Sequence, residues 1–364
     1  MRKELIYLCW LLILFASCEE KYVPNIEAIK DQLVVEAKIT NEPSMNFVHL
    51  TKTRNFEESV SLPEVSGATV KLIGAGSAAT ITGYESAPGY YTFLTAPESG
   101  KQYFLRINIQ TDIYESMIVT MPPLPTFTNL RTEEVTKTFW VKNGDGIPQP
   151  VKKLGRELYV DLPVTSSLGY YRFDKREIVQ WSWDSPYPFD IIPTAYGWYS
   201  YVDKESFHLA APKDYSETSK IDKYPLDMIT YNPLQYLYSD TLKYHGMILI
   251  FDQYGTSKES YDYHTKLNSQ FAANGSLFDP IQNQIVGNII CKTNPSQIVY
   301  GFFDLNSYQQ FRYFYLLNTP PGVIVLKQLF RFPVIPLTGM IRTAPIQKGL
   351  PMPEPISPPA WWEE

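Results

Sequence analysis

The chain has 364 residues, 44% hydrophobic and 19% charged, with a formal net charge of −6. Such values belong to a globular chain rather than a disordered one, and the length suits two domains of ordinary size. An acidic balance with no basic cluster argues against nucleic acid as a partner, because phosphate neutralisation needs Lys and Arg in patches.

Arg2 and Lys3 precede an apolar run over residues 5–15, and the small pair Ala16-Ser17 stands directly before Cys18. This is the layout of a secretory signal, and the run is shorter than the ~20 residues a spanning helix needs. Residues 1–17 therefore read as a cleaved signal peptide. Small residues before a cysteine resemble a bacterial lipobox. By that resemblance Cys18 is the lipidation site, and the polar stretch 18–30 is the lipidated tether. Of the three cysteines, Cys9 would leave with the signal and Cys18 would be acylated. Only Cys291 remains, so no intramolecular disulfide can form. Its apolar surroundings over 285–291 suit a buried, inert thiol.

Aromatic residues make up 15% of the chain, 27 of them Tyr, and there are 29 Pro. Aromatic and β-branched residues suit pleated, half-buried surfaces, so the expected fold is mostly β. Short strands are predicted at 33–39, 47–51, 68–73, 90–93, 103–107 and 113–119, punctuated by Gly and Pro turns. Their spacing predicts an N-terminal immunoglobulin-like β-sandwich over 31–121. Met121-Pro122-Pro123-Leu124-Pro125 breaks regular structure, and a Pro-rich linker is placed at 122–128.

A larger β-rich, sandwich-like domain is expected over 129–332. Its strands are read at 156–163, 170–173 and 178–183, with an apolar, central strand at 246–252. One helix is predicted over 257–271, with Thr256 and Glu259 as a capping box and Tyr263, Leu267 and Phe271 as its buried stripe. Further strands are read at 285–291, 298–303, 311–317 and 323–330. The Pro-rich tail 333–364 can be neither a helix nor a central strand. Its greasy end, Pro359-Ala360-Trp361-Trp362, is expected to dock on the second domain.

Four stretches carry a resemblance to a known family. They are Leu33-Val34-Val35-Glu36-Ala37-Lys38-Ile39-Thr40-Asn41-Glu42-Pro43; Val65-Ser66-Gly67-Ala68-Thr69-Val70; Gly275-Ser276-Leu277-Phe278-Asp279-Pro280; and Gly287-Asn288-Ile289 with Asn294-Pro295. The chain resembles the surface lipoproteins grouped as domain of unknown function 4249, found in Bacteroidota. The resemblance implies an outer-membrane location and a gene neighbour encoding a TonB-dependent receptor. The acidic pair Glu19-Glu20 is similar to signals that send lipoproteins to the cell surface in that phylum. The family brings no catalytic residues to carry over. This chain lacks the cysteines that the family pattern would place before a final aromatic residue.

Motifs with chemical potential are few. Val70-Lys71-Leu72-Ile73-Gly74-Ala75-Gly76-Ser77-Ala78-Ala79 reads like a dinucleotide turn, but β-like sequence follows where a helix is needed, so a Gly-rich hairpin is expected. The four histidines, His49, His208, His245 and His264, are far apart and form no metal motif. His49 and His264 read as surface or packing residues. Acid pairs such as Asp161 and Asp174 would act in glycoside cleavage only if the fold brought them together. The aromatic stretch 170–201 is the best contact candidate. Within it Tyr187, Tyr196, Trp198 and Tyr199 follow Pro and Gly residues and are placed on a loop available to a partner or ligand.

The expectation is a non-enzymatic outer-membrane surface lipoprotein, facing the cell exterior and held by its N-terminal lipid. It would be an accessory or ligand-capturing component of a TonB-dependent nutrient uptake system, without cofactor or metal. A surface hydrolase of glycans or peptides and a structural envelope lipoprotein are the alternatives. The sequence leaves the ligand, the receptor and the oligomeric state open.

Overall fold

Strict alternation of apolar and polar residues builds the first core. The structure is a computed structural model that describes residues 31–54, 62–76, 79–184, 194–202, 208–214, 219–230, 242–272, 285–316 and 354–356. Cys18, the tether, Tyr187 and Pro359-Ala360-Trp361-Trp362 lie outside the described residues. The fold is mostly β, as expected.

Strands β1 (Leu33–Ile39), β2 (Phe47–Lys52), β3 (Thr69–Gly74), β4 (Thr80–Thr82), β5 (Tyr84–Ala87) and β6 (Tyr90–Thr92) come first. Strands β7 (Gln102–Ile109), β8 (Asp112–Ser116) and β9 (Val119–Thr120) follow. In β1 the side chains of Leu33, Val35, Ala37 and Ile39 are buried, and in β7 those of Tyr103, Leu105 and Ile107. Two sheets share these residues in one core, with Val48, Leu50, Val70, Leu72, Tyr91 and Phe93. Each such side chain contributes about 1.5–3 kcal/mol by leaving water. The Gly-rich stretch is a hairpin: β3 pairs with β4, and Gly76 in the turn between them takes φ +73°. The connector after β9 carries no regular structure up to Phe127.

The second part opens with β10 (Thr128–Lys142) and β11 (Pro148–Pro163), a long antiparallel pair. Only the second half of β11, from 156, is anticipated in the sequence. The signal for the rest is the Asn143-Gly144-Asp145-Gly146 turn, a hairpin signature between β-rich flanks. There Asn143 Oδ1 accepts from the Asp145 and Ile147 amides at 3.0 and 2.9 Å, and Gly146 takes φ +80°. Next come β12 (Tyr170–Asp184), β13 (Thr194–Val202), β14 (His208–Ala210), β15 (Lys220–Thr230) and β16 (Leu242–Thr256). The single α-helix among the described residues, α1 (Lys258–Ala272), follows. The chain ends in β17 (Ile289–Cys291), β18 (Tyr300–Leu305), β19 (Ser307–Leu316) and β20 (Glu354–Ile356).

Strand β16 is an interior strand, flanked by β19 and β12 in the order β19-β16-β12-β13-β20, as its apolar sequence implies. Among the described residues strand β20, which contains Pro355, lies at the edge of that sheet. The second core gathers Leu158, Val160, Leu162, Tyr171, Phe173, Ile221, Leu249 and Phe251.

Three expectations differ from the structure. The segment 289–305, read as part of the second domain, returns to the first core. There β18 pairs in parallel with β1 and β17 pairs with β8, burying Ile289, Cys291, Phe303 and Leu305. A parallel pair needs a long crossover, and here the connection from β1 to β18 runs through the other strands of the first part and almost the whole second part. The residue capping α1 is Ser257 rather than Thr256: the Ser260 amide donates to Ser257 Oγ at 3.2 Å, while Thr256 still belongs to β16. The buried stripe of α1 is polar: Ser260, Tyr261 and His264 are buried, whereas Tyr263 and Leu267 are half-buried. The side chain of Phe271 lies outside the described residues.

Candidate functional site: a polar seam between two cores

Five strands and the helix deliver charged and polar side chains to one seam between the two cores. Strand β1 brings Lys38, β12 brings Arg172 and Asp174, β16 brings Asp252 and Tyr254, and α1 brings Ser260 and His264. Strand β18 brings Asp304, and β19 brings Tyr308.

Asp304 is the hub. Its Oδ2 accepts from Arg172 Nη1 at 2.9 Å and lies 3.0 Å from His264 Nε2, while its Oδ1 accepts from Ser260 Oγ at 2.5 Å. Ser260 and His264 are one helical turn apart, so both reach one carboxylate from one face of α1. Arg172 Nη1 also lies 2.7 Å from His264 Nε2, and Arg172 Nε lies 3.5 Å from Asp174 Oδ1. The guanidinium stacks 4.3 Å from the ring centre of Tyr254. The Tyr254 hydroxyl accepts from Lys38 Nζ at 2.6 Å. Burial pushes the Asp304 carboxyl up, but the hydrogen bond from His264 and the charge of Arg172 outweigh it and hold it well below the usual range. Burial pulls Arg172 down, yet Asp174 and Asp304 more than compensate and keep the guanidinium firmly charged. Lys38 is lowered by burial and by Arg172.

Ser, His and Asp converge here, so nucleophilic chemistry is the natural question. A nucleophile needs its proton taken by the imidazole. Here the Ser260 hydroxyl donates its hydrogen bond to Asp304 rather than to the imidazole, and His264 meets the same carboxylate at its other oxygen. Ser260, His264, Asp304 and Arg172 are all buried. The arrangement is that of a clasp: it neutralises buried charge and locks β18, β12 and α1 together. Neutral clamps flank it. Asn288 holds both the amide and the carbonyl of Phe303, at 2.8 and 2.9 Å. Asn41 does the same for Tyr308, at 2.6 and 3.1 Å. Tyr263 stacks on Phe302 with ring centres 4.3 Å apart.

The sequence-derived residues fall elsewhere. Tyr196, Trp198 and Tyr199 lie on strand β13, not on a loop, with Trp198 in register with Gln180 of β12 and Ile356 of β20. Their side chains lie outside the described residues. Asp161 and Asp174 serve different cations. Asp174 faces Arg172, whereas Asp161 accepts from Asn129, Arg131 and the Lys223 amide at 2.8, 2.9 and 2.8 Å. Burial raises the Asp161 carboxyl, but the bonds from Asn129 and Lys223 overcome it and hold it low. His49 bonds Glu64 at 2.7 Å on the flank of β2. Cys291 is buried, as its apolar context implies. No local pattern foretells the clasp, because its members are as much as 132 residues apart. Among the described residues no group of His, Cys, Asp and Glu is arranged to hold a metal ion, and no helix is long and apolar enough to cross a membrane.

A family model described as Domain of unknown function (DUF4249) matches residues 19–312. No curated protein and no solved structure matches the chain.

Proposed function

The chain belongs to the DUF4249 family, and from that premise we propose that it is an outer-membrane surface lipoprotein serving a TonB-dependent uptake system without catalysing a reaction itself. The observation that carries this reading is Ala16-Ser17-Cys18-Glu19-Glu20, a lipid-acceptor cysteine followed at once by an acidic pair. The polar seam supports it, since the buried Ser260, His264 and Asp304 are engaged with one another and with Arg172 in holding the two cores together.

The mechanism is tethering. Several acyl chains on Cys18 hold a protein on a bilayer far better than one chain does. Confinement to the membrane plane raises the effective concentration beside a receptor without any new contact. The first sandwich acts as spacer or docking module. In this reading the contact region for receptor or cargo is strand β13, which carries Tyr196, Trp198 and Tyr199, with Tyr187 as the fourth candidate.

Capture from the native outer membrane in mild detergent, through a C-terminal tag, is expected to bring down a TonB-dependent receptor near one to one. Tyr196→Ala with Trp198→Ala is expected to weaken that recovery about ten-fold or more, the scale of an aromatic hot spot. Recovery of the lipoprotein alone, with receptor plentiful in the input, overturns the proposal.

A further inference from the structure

Among the described residues the hairpin of β10 and β11 outruns its sheet. There β15 pairs with β11 as far as Gly155, whereas β10 and β11 continue through seven further residue pairs, Thr136↔Leu154 to Lys142↔Pro148. At about 3.4 Å per residue this is an arm of about 24 Å. A lone two-stranded ribbon is marginal in water, so an arm of this length calls for a partner.

Its composition differs from the rest of the protein. Trp140 is 71% exposed and Ile147, in the turn, 58%. Val141, Val151 and Leu154 are exposed as well. Residues opposite each other in the register share a face. Phe139, Val141 and Val151 therefore lie on one face, Trp140 and Leu154 on the other, and Ile147 at the tip. The stretch 135–155 also carries Lys137, Lys142, Lys152 and Lys153 against the single acid Asp145, a formal +3 in a chain of −6. Lys137 is paired with Glu157 at the base of the arm, and Lys153 Nζ lies 5.4 Å from the Phe139 ring centre.

We propose that this arm docks on a bilayer surface bearing anionic phosphate headgroups, dipping its apolar tip among the acyl chains. A protein surface would cover one face of a ribbon, but here both faces and the tip carry exposed apolar side chains beside the lysines, which suits immersion at an interface. Pro148, Pro150 and the neighbouring lysines disfavour the addition of another strand from a second copy. Trp at the headgroup level and Lys reaching back toward phosphate are the pattern of an interfacial anchor. The inference goes beyond the accessory reading and stands without it, because a failed receptor capture leaves lipid contact untouched.

The test uses the full lipidated chain in protein-free vesicles of phosphatidylcholine, with or without an equal share of phosphatidylglycerol. An environment-sensitive dye is attached to Ile147→Cys and, as control, to Leu94→Cys, which is exposed on the first sandwich. Unsubstituted chain labelled in parallel gives the background from native cysteines. In the anionic vesicles the dye at 147 should be quenched by lipid-borne nitroxide and shielded several-fold from aqueous iodide, while the dye at 94 shows the reverse. Adding Lys152→Gln and Lys153→Gln should reduce the docked fraction about ten-fold. The arm's exposed side chains leave the thermal transition unchanged in these variants. Equal iodide access at 147 and 94 in anionic vesicles overturns the proposal. So does shielding that arises only after a membrane protein is added, which would assign the arm to a protein partner.

Discussion

Replacing Asp304 with Ala is expected to cost about 3–5 kcal/mol of unfolding free energy, the scale of a buried charge deprived of its partner. Arg172 is itself buried and would lose the closest carboxylate described for it, keeping Asp174 at 3.5 Å from its Nε. Ser260 and His264 would lose their bonds to Asp304 in the same step. Replacing both partners, Arg172→Met with Asp304→Leu, should recover most of the loss, since paired apolar substitution of a buried ion pair is often neutral or better. The pH dependence follows from the depressed Asp304 carboxyl. A group whose folded value is lowered stabilises above its unfolded value, near 3.9, and that contribution is lost as pH falls toward the folded value. Stability should therefore decline from about pH 4 downward, and Asp304→Asn should flatten that decline. Urea midpoints across pH 2–7 decide the matter. A cost below about 1 kcal/mol for Asp304→Ala, or an unchanged acid limb in Asp304→Asn, would show the clasp to be dispensable.

Period and punctuation explain what could be read in advance. Alternation in 33–39 and 103–107 writes one buried face per strand, and those strands are present. The turn at Gly76, the irregular connector after Met121 and the apolar run of β16 are local signals with local causes. Three things were not local. The return of 289–305 to the first core depends on a parallel pairing with β1, which no hairpin signal announces. The polarity of the α1 stripe depends on what faces it: Tyr263, Leu267 and Phe271 carry the helical period, but Ser260 and His264 meet a buried carboxylate and take the inward face. The strand at 194–202 was obscured by the neighbouring Pro193 and by Gly197, which a strand tolerates when flanking strands supply the ladder. Two residues quoted for the family resemblance, Asn41 and Asn288, clamp backbone where the chain passes between the cores. In these two stretches the asparagines thus serve the closure of the fold.

Gly301→Ala is expected to be among the most damaging single methyl additions in the described chain. Gly301 takes φ +88° and pairs with Val35 across the parallel β1 and β18. A Cβ there would land on the carbonyl and amide of Val35, backbone on a strand buried in the first core. That backbone cannot yield without breaking the pairing that brings β18 home. Gly76→Ala separates the two causes: its φ is +73°, yet a Cβ would meet nothing within 4 Å. Its cost should be the left-handed strain alone, about 1–2 kcal/mol. Gly301→Ala should lose more than about 4 kcal/mol, the range reserved for a named structural lesion. Because Phe303 and Leu305 follow on the same strand, the loss should expose the first core even though the substitution lies at position 301 of the chain. Denaturant midpoints for the two variants, with hydrogen exchange on β1 as the local probe, provide the comparison. Equal costs would mean that β1 and β18 separate easily and that the first sandwich does not depend on the distal segment. A large excess at Gly301, with β1 amides exchanging fast, would establish that the first sandwich is completed only after almost the whole second part has been made.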